Sequence, residues 1–185
     1  MKRILAEFIF LRLMGWRIVG RIPREVPQAI IAVGPHTSSW DFVVGVLTRA
    51  VLVQPIGFIG KASLFRGPLG GLFRWLGGYP VDRDRSQGTV EAVVGLFRSH
   101  QRFYLALSPE GSRKRVERLR TGFYHMAVGA GVPIILSGMD FGCKELRIEP
   151  PFYPTGDVGR DMQFIQHYFS TITGKIPAMG VKAPD

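Results

Sequence analysis

The sequence predicts a single α/β domain with a largely parallel central sheet flanked by helices, preceded by an N-terminal amphipathic helix. Three observations predict it. Compact β-branched apolar runs such as "QAIIAVGPH" end in Gly or Pro, the pattern of buried strands. Segments with helical spacing of apolar residues alternate with those runs, which favours parallel strands joined by crossover helices. The length of 185 residues, 46% of them hydrophobic, is enough for one sizeable core and argues against disorder.

The elements follow in order. "MKRILAEFIFLRLMGWRIVG" reads as a helix within an interfacial segment spanning residues 1–27. Glu7, Arg12 and Arg17 interrupt its apolar run, so it is not expected to cross a bilayer. It has no small-residue cleavage site of the secretory kind. Lys2, Arg3, Arg12 and Arg17 can reach anionic headgroups while Leu5, Phe8, Ile9, Leu13 and Trp16 insert. The same helix packed on its own domain is the other reading. The main domain is expected over 28–175. "QAIIAVGPH" is its first strand, Ser39 an N-cap, and Trp40 to Val53 the following helix. "PIGFIGK" is a second strand. "SLFRGPLGGLFRWLGG" is apolar, dotted with Arg66 and Arg74 and broken by Gly-Pro and Gly-Gly. "YPVDRD" is a strand end and loop, and "SQGTVEAVVGLFRSHQ" a helix with Val90, Val93, Val94 and Phe97 on one face. "RFYLALSPEGSRKR" is a strand and loop. "TGFYHMAVGAGVPIILSGMDF" is a helix stopped by Gly131 and then a strand. "KELRIEPPF" is a strand and "MQFIQHYFSTI" a last helix. Residues 176–185 read as a loosely ordered tail.

Charge narrows the partners. Twenty-four Lys and Arg against fourteen Asp and Glu give a formal net charge of +10. That excess favours anionic partners. Combined with high apolar content it points to a membrane surface and away from nucleic acid. The one cysteine, Cys143, excludes internal disulfides and zinc sites built on paired cysteines.

In such sheets functional loops gather at the carboxyl ends of the strands. Three loops there carry chemistry. "GPHTSSWDF" places His36 five residues before Asp41. On one helix these positions would lie about 140° apart. A loop folding over a helix N-terminus brings them together, and the helix dipole favours a carboxylate in the first turn. By itself the pair is a turn residue, a ligand or a base with its orienting acid. His100, His125 and His167 are scattered on other segments, so no metal site is expected. There is no G-x-S-x-G elbow, and Cys143 sits in "FGCKE" without an evident anion-stabilising context. "SPEGSRKR" turns around Glu110 through Pro109 and Gly111 and leads into Arg113, Lys114 and Arg115. "GGYPVDRD" brings Asp82 and Arg83 to another strand end.

Four pieces in order resemble the glycerolipid acyltransferase family that includes 1-acylglycerol-3-phosphate acyltransferases. They are His36 to Asp41, Gly78 to Arg83, Ser108-Pro109-Glu110-Gly111-Ser112-Arg113, and Val132-Pro133-Ile134. Together they span roughly residues 30 to 138. Pro35 stands where the family commonly has Asn, Ser108 where it has Phe, and Ser112 where it has Thr.

The resemblance implies transfer of a fatty acyl group from acyl-CoA or acyl-carrier protein to a lysolipid hydroxyl, in phospholipid biosynthesis. The expected acceptor is 1-acylglycerol-3-phosphate. A lyso-ornithine lipid, a glycolipid, or water in a thioesterase are the alternatives. His36 would be the general base and Asp41 its orienting acid. Arg83, Glu110, Gly111, Ser112 and Arg113 would bind the acceptor, the arginines at a phosphate. Backbone N–H groups near the helix start or around Val132 would face the oxyanion. No cofactor beyond the thioester cosubstrate is implied. The protein would sit, peripheral or monotopic, on the cytoplasmic face of an anionic membrane.

Overall fold

A computed structural model describes residues 3–81, 86–112 and 115–184, apart from the side chains of 86 and 87. The elements are α1 (Arg3–Glu7) continued by a π-helical stretch (Phe8–Leu13), β1 (Arg17–Gly20), β2 (Gln28–Gly34), α2 (Trp40–Leu52), β3 (Ile56–Lys61), α3 (Ala62–Arg66) and α4 (Gly70–Trp75). There follow β4 (Gly78–Val81), α5 (Ser86–Ser99), β5 (Phe103–Leu107), α6 (Gly122–Ala130), β6 (Ile134–Asp140), β7 (Glu145–Phe152) and α7 (Val158–Ser170).

The seven strands form one sheet in the order β1-β7-β6-β2-β5-β3-β4. β2 to β6 run parallel; β7 is antiparallel to β6 and β1 parallel to β7. The sheet is therefore mostly parallel, as the alternating pattern predicts. Side chains alternate between its two faces. Ile30, Leu105, Ile134 and Leu136 face Phe97, Phe123, Ile165 and Phe169 of α5, α6 and α7. Ala29, Ile31, Ile135 and Met139 face Phe10, Val44 and Leu47 on the other side. Both faces are covered, which is why the central strands read as continuous apolar runs.

Two terminal segments differ from expectation. The N-terminal helix ends at Leu13, short of Trp16, because Gly15 adopts φ +70°, a left-handed turn that stops a helix. Trp16 does not point to a membrane. It is buried, stacked on Phe10 with ring centroids 5.7 Å apart and edge-on to Phe141 at 4.9 Å. Residues 17–20 then form a strand within the segment read as helical, pairing with Glu145 to Ile148. The tail is also docked rather than loose. It makes a 3-10 turn at Pro177–Met179, and Val181 is buried. The last long helix begins earlier than its apolar spacing indicates. Asp157 caps it, accepting a hydrogen bond from the Arg160 N–H at 3.0 Å.

Candidate active site

The site is assembled where β2 and β5, adjacent parallel strands, both end. β2 gives way at Gly34 to a cis Gly34–Pro35 peptide, and the loop His36 to Ser39 leads into α2. Asp41 lies in the first turn of α2 and is 3% exposed. Its Oδ2 accepts the Thr37 N–H at 2.8 Å and the Ser38 N–H at 2.7 Å. Those bonds fold the loop back, and His36 Nδ1 comes to 3.0 Å from the same oxygen. The loop-over-helix geometry expected for the pair is the one observed. Ser39 occupies the N-cap position, but the carboxylate of Asp41 ties down the loop amides. The His36 side chain is one-third exposed, and with Nδ1 on the carboxylate, Nε2 is the nitrogen presented for proton transfer.

Glu110 arrives from the loop after β5 and is buried. Its Oε1 accepts the His36 N–H at 2.7 Å, and its Oε2 accepts the Ser108 hydroxyl at 2.7 Å. The acid of the second motif thus holds the backbone of His36. Two glycines permit this. A Cβ at Gly34 would stand 3.1 Å from the Phe169 ring and 3.3 Å from Glu110 Oε1. Gly111 has φ +66°, and a Cβ there would meet the Arg120 side chain at 2.8 Å. Arg120 is in turn returned to this loop by its N–H bond to the Pro109 carbonyl at 2.9 Å. Ser112 is half-buried beside Gly111. Asp82, Arg83, Arg113 and Lys114 lie outside the described residues.

A cavity of about 60 Å³ lies between α2 and the sheet, with Ile31, Val33, Met139 and Leu146 on its sheet side. Gly45, Thr48 and Leu52 line it from α2 at helical spacing below Asp41. The lining is apolar except for the hydroxyls of Thr48 and Ser137.

Other sequence candidates lie elsewhere. His100 stacks on Phe103, with ring centroids 4.9 Å apart. Cys143 sits in the β6–β7 turn beside Asp140, Glu145 and Arg147. Desolvation and those two carboxylates hold its thiol above the ordinary value against the opposing pull of Arg147, and a protonated thiol is a poor nucleophile. The Val132 N–H bonds to the Ala127 carbonyl behind α6, at the amino ends of the strands, so it does not serve an oxyanion at this edge. Sequence reasoning missed Thr37. It is buried, and its Oγ1 accepts the Ile176 N–H at 3.1 Å, a partner 139 residues away that no local signal announces.

Residues 17–137 match the family model described as Acyltransferase. The chain belongs to the acyltransferase family. The match includes His36, Asp41 and the whole Glu110 loop, and it ends within β6. Among curated proteins, the chain is 35% identical over 133 residues to the 1-acyl-sn-glycerol-3-phosphate acyltransferase of Salmonella typhimurium, covering 66% of this chain and 52% of that protein. It is 34% identical over 133 residues to the Escherichia coli protein of the same name, with the same coverage. The chain spans about half the length of these curated relatives. Among solved structures, the 1-acyl-sn-glycerophosphate acyltransferase of Thermotoga maritima superimposes with a TM-score of 0.61 at 17% identity. The alignment covers 90% of this chain and 74% of that one. At that identity the likeness concerns the acyltransferase fold.

Proposed function

We propose that this protein transfers a fatty acyl group from a thioester, acyl-CoA or acyl-carrier protein, to the free hydroxyl of 1-acylglycerol-3-phosphate. The observation that carries the reading is the His36–Asp41 pair, 3.0 Å apart at the mouth of the β2 loop with one ring nitrogen turned to the acid. The names of the curated relatives supply the acceptor.

The chemistry follows from the geometry. His36 Nε2 takes the proton of the acceptor hydroxyl as that oxygen attacks the thioester carbonyl. Asp41 holds the tautomer and stabilises the imidazolium that forms. The tetrahedral intermediate collapses, the carbon–sulfur bond breaks, and the thiolate takes the proton back from His36. No enzyme nucleophile is needed, which agrees with the missing serine elbow. Glu110 positions His36 through its backbone N–H. Arg83 and Arg113 are assigned to the acceptor phosphate on the family pattern. The apolar cavity below Asp41 suits the first methylenes of an acyl chain.

The same reading places the protein on an anionic membrane surface. No helix among the described residues is long and apolar enough to cross a membrane. Ile4, Leu5, Phe8 and Leu13 are instead exposed on the N-terminal helix, and Leu64, Leu69, Leu72 and Trp75 on α3, α4 and their connection. Arg66 and Arg74 lie among the second set. Apolar side chains beside cations are the composition of an interfacial surface. Acceptor and product both reside in bilayers, and the cytoplasmic face is the one that supplies acyl thioesters.

The test is thiol release from labelled acyl-CoA and acyl-carrier protein, with and without the lysolipid, with the product identified by mass. Release that depends on the acceptor and yields the diacyl lipid is the expected result. Release at the full rate without acceptor would make the protein a thioesterase.

A further inference from the structure

A second opening adjoins the catalytic loop and belongs neither to the His–Asp pair nor to the apolar cavity. It is a groove of about 300 Å³. Arg115 forms part of one wall, and the stretch from Ser170 to Lys182 forms the other. The groove opens on the side of the sheet that carries α7, whereas the apolar cavity opens on the side that carries α2. His36 stands at the strand-end edge between them.

The groove is a built feature. The Ile176 N–H donates to Thr37 Oγ1, and a Cβ on Gly174 would fall 2.7 Å from the Thr37 side chain, so the segment is strapped against the residue that follows His36. Gln166, 9% exposed, ties the walls together. Its Nε2 donates to the Glu117 carbonyl at 3.0 Å and to the Lys182 carbonyl at 3.1 Å. Among the described residues the lining offers two cations, Arg115 and Lys182, and two hydroxyls, Ser170 and Thr173. Among the described residues the acid paired with these cations is Glu117, whose carboxylate lies 3.3 Å from Lys182 Nζ and is itself 84% exposed. A pair that exposed contributes little, so the ammonium is readily recruited by a stronger anion. Most of this groove lies beyond residue 137, where the family match ends.

We propose that this groove binds a phosphate group of a substrate, with Arg115 as the two-pronged contact and Lys182 as the second cation. The proposal rests on the acyl-transfer reading for the source of that phosphate. Both the nucleotide end of a coenzyme A thioester and the headgroup of a glycerol phosphate carry the required phosphate monoester.

Calorimetric titration of the full chain with coenzyme A and, separately, with glycerol 3-phosphate tests it. Arg115→Ala is expected to weaken binding of one probe about tenfold, the usual scale for a lost charge-assisted hydrogen bond. Glu117→Gln, which releases Lys182, is expected to tighten the same probe a few-fold. Weakening confined to coenzyme A assigns the groove to the donor, and weakening confined to glycerol 3-phosphate assigns it to the acceptor; either supports the site. An unchanged Kd for both probes in the R115A/K182A double variant overturns it, as does failure of the wild type to bind either probe. The readout needs no turnover. Arg115-dependent binding without acyl transfer would therefore sink the proposed reaction and leave the groove standing.

Discussion

Replacing Asp41 by Asn removes one charge and almost no volume. Asp41 Oδ2 receives three groups: the Thr37 and Ser38 amides at 2.8 and 2.7 Å and His36 Nδ1 at 3.0 Å. The amide oxygen of Asn can keep both backbone bonds, so D41N should fold with a stability loss of about 1 kcal/mol. What it cannot do is stabilise the imidazolium. Two unit charges 3.0 Å apart attract by about 5 kcal/mol at an effective dielectric of about 20. His36 is one-third exposed, so solvent screens part of this, leaving roughly 3–4 kcal/mol for the transition state. The expected loss in kcat is about 10²–10³-fold. The assay is steady-state transfer of labelled acyl groups to lysophosphatidate in mixed micelles, with thermal unfolding as the control. A kcat within threefold of wild type in a folded D41N protein would refute the role given to Asp41.

Three more outcomes are expected. Gly45 faces the cavity with Met139 Cε 3.6 Å from where its Cβ would stand, so Gly45→Ile should fill the cavity and shift preference to shorter acyl thioesters. An unchanged chain-length profile across a thioester series would take the acyl chain out of that cavity. Val53 closes α2 at φ +52° and is 63% exposed, so Val53→Gly relieves a left-handed β-branched residue and should stabilise the fold by about 1 kcal/mol in urea titration. A loss of stability would contradict that reading. Asp161 should give the fold a pH dependence. Burial alone would raise its carboxyl, but the Thr155 N–H, the Tyr124 hydroxyl and the Thr155 hydroxyl outweigh it and hold the group below its ordinary value. A folded-state value below the unfolded one stabilises above the ordinary carboxylate range, and that stability is lost as pH falls through the folded value. The gap between wild type and Asp161→Asn should therefore be widest at neutral pH and close in acid, and a gap that does not change with pH would be the contrary result.

What could be read from the sequence was what is local. His36 and Asp41 are separated by four residues and a helix start, so turn and dipole arguments reach them. Glu110 was legible as part of a strand-end motif, but its bond to the His36 backbone spans 74 residues and needed the β2–β5 pairing to appear. The same limit explains the misses. β1 is four residues long, inside an apolar run, and its partner β7 lies 128 residues on, so nothing local separates it from the helix before it. Trp16 has the composition of an interface anchor, yet Phe10 and Phe141 make it core. The tail contains Gly, Pro and Lys and reads as loose, but Thr37 and Gln166 fasten it from elsewhere in the chain.

The most direct test of the account is the rate of acyl transfer to lysophosphatidate by His36→Ala beside the wild type. Glu110 engages the backbone N–H of residue 36, not its ring, so the loop should persist in the variant. The account predicts a folded protein whose transfer rate falls by at least about 10²-fold. Transfer at the wild-type rate by that variant would contradict the assignment of His36 as the base.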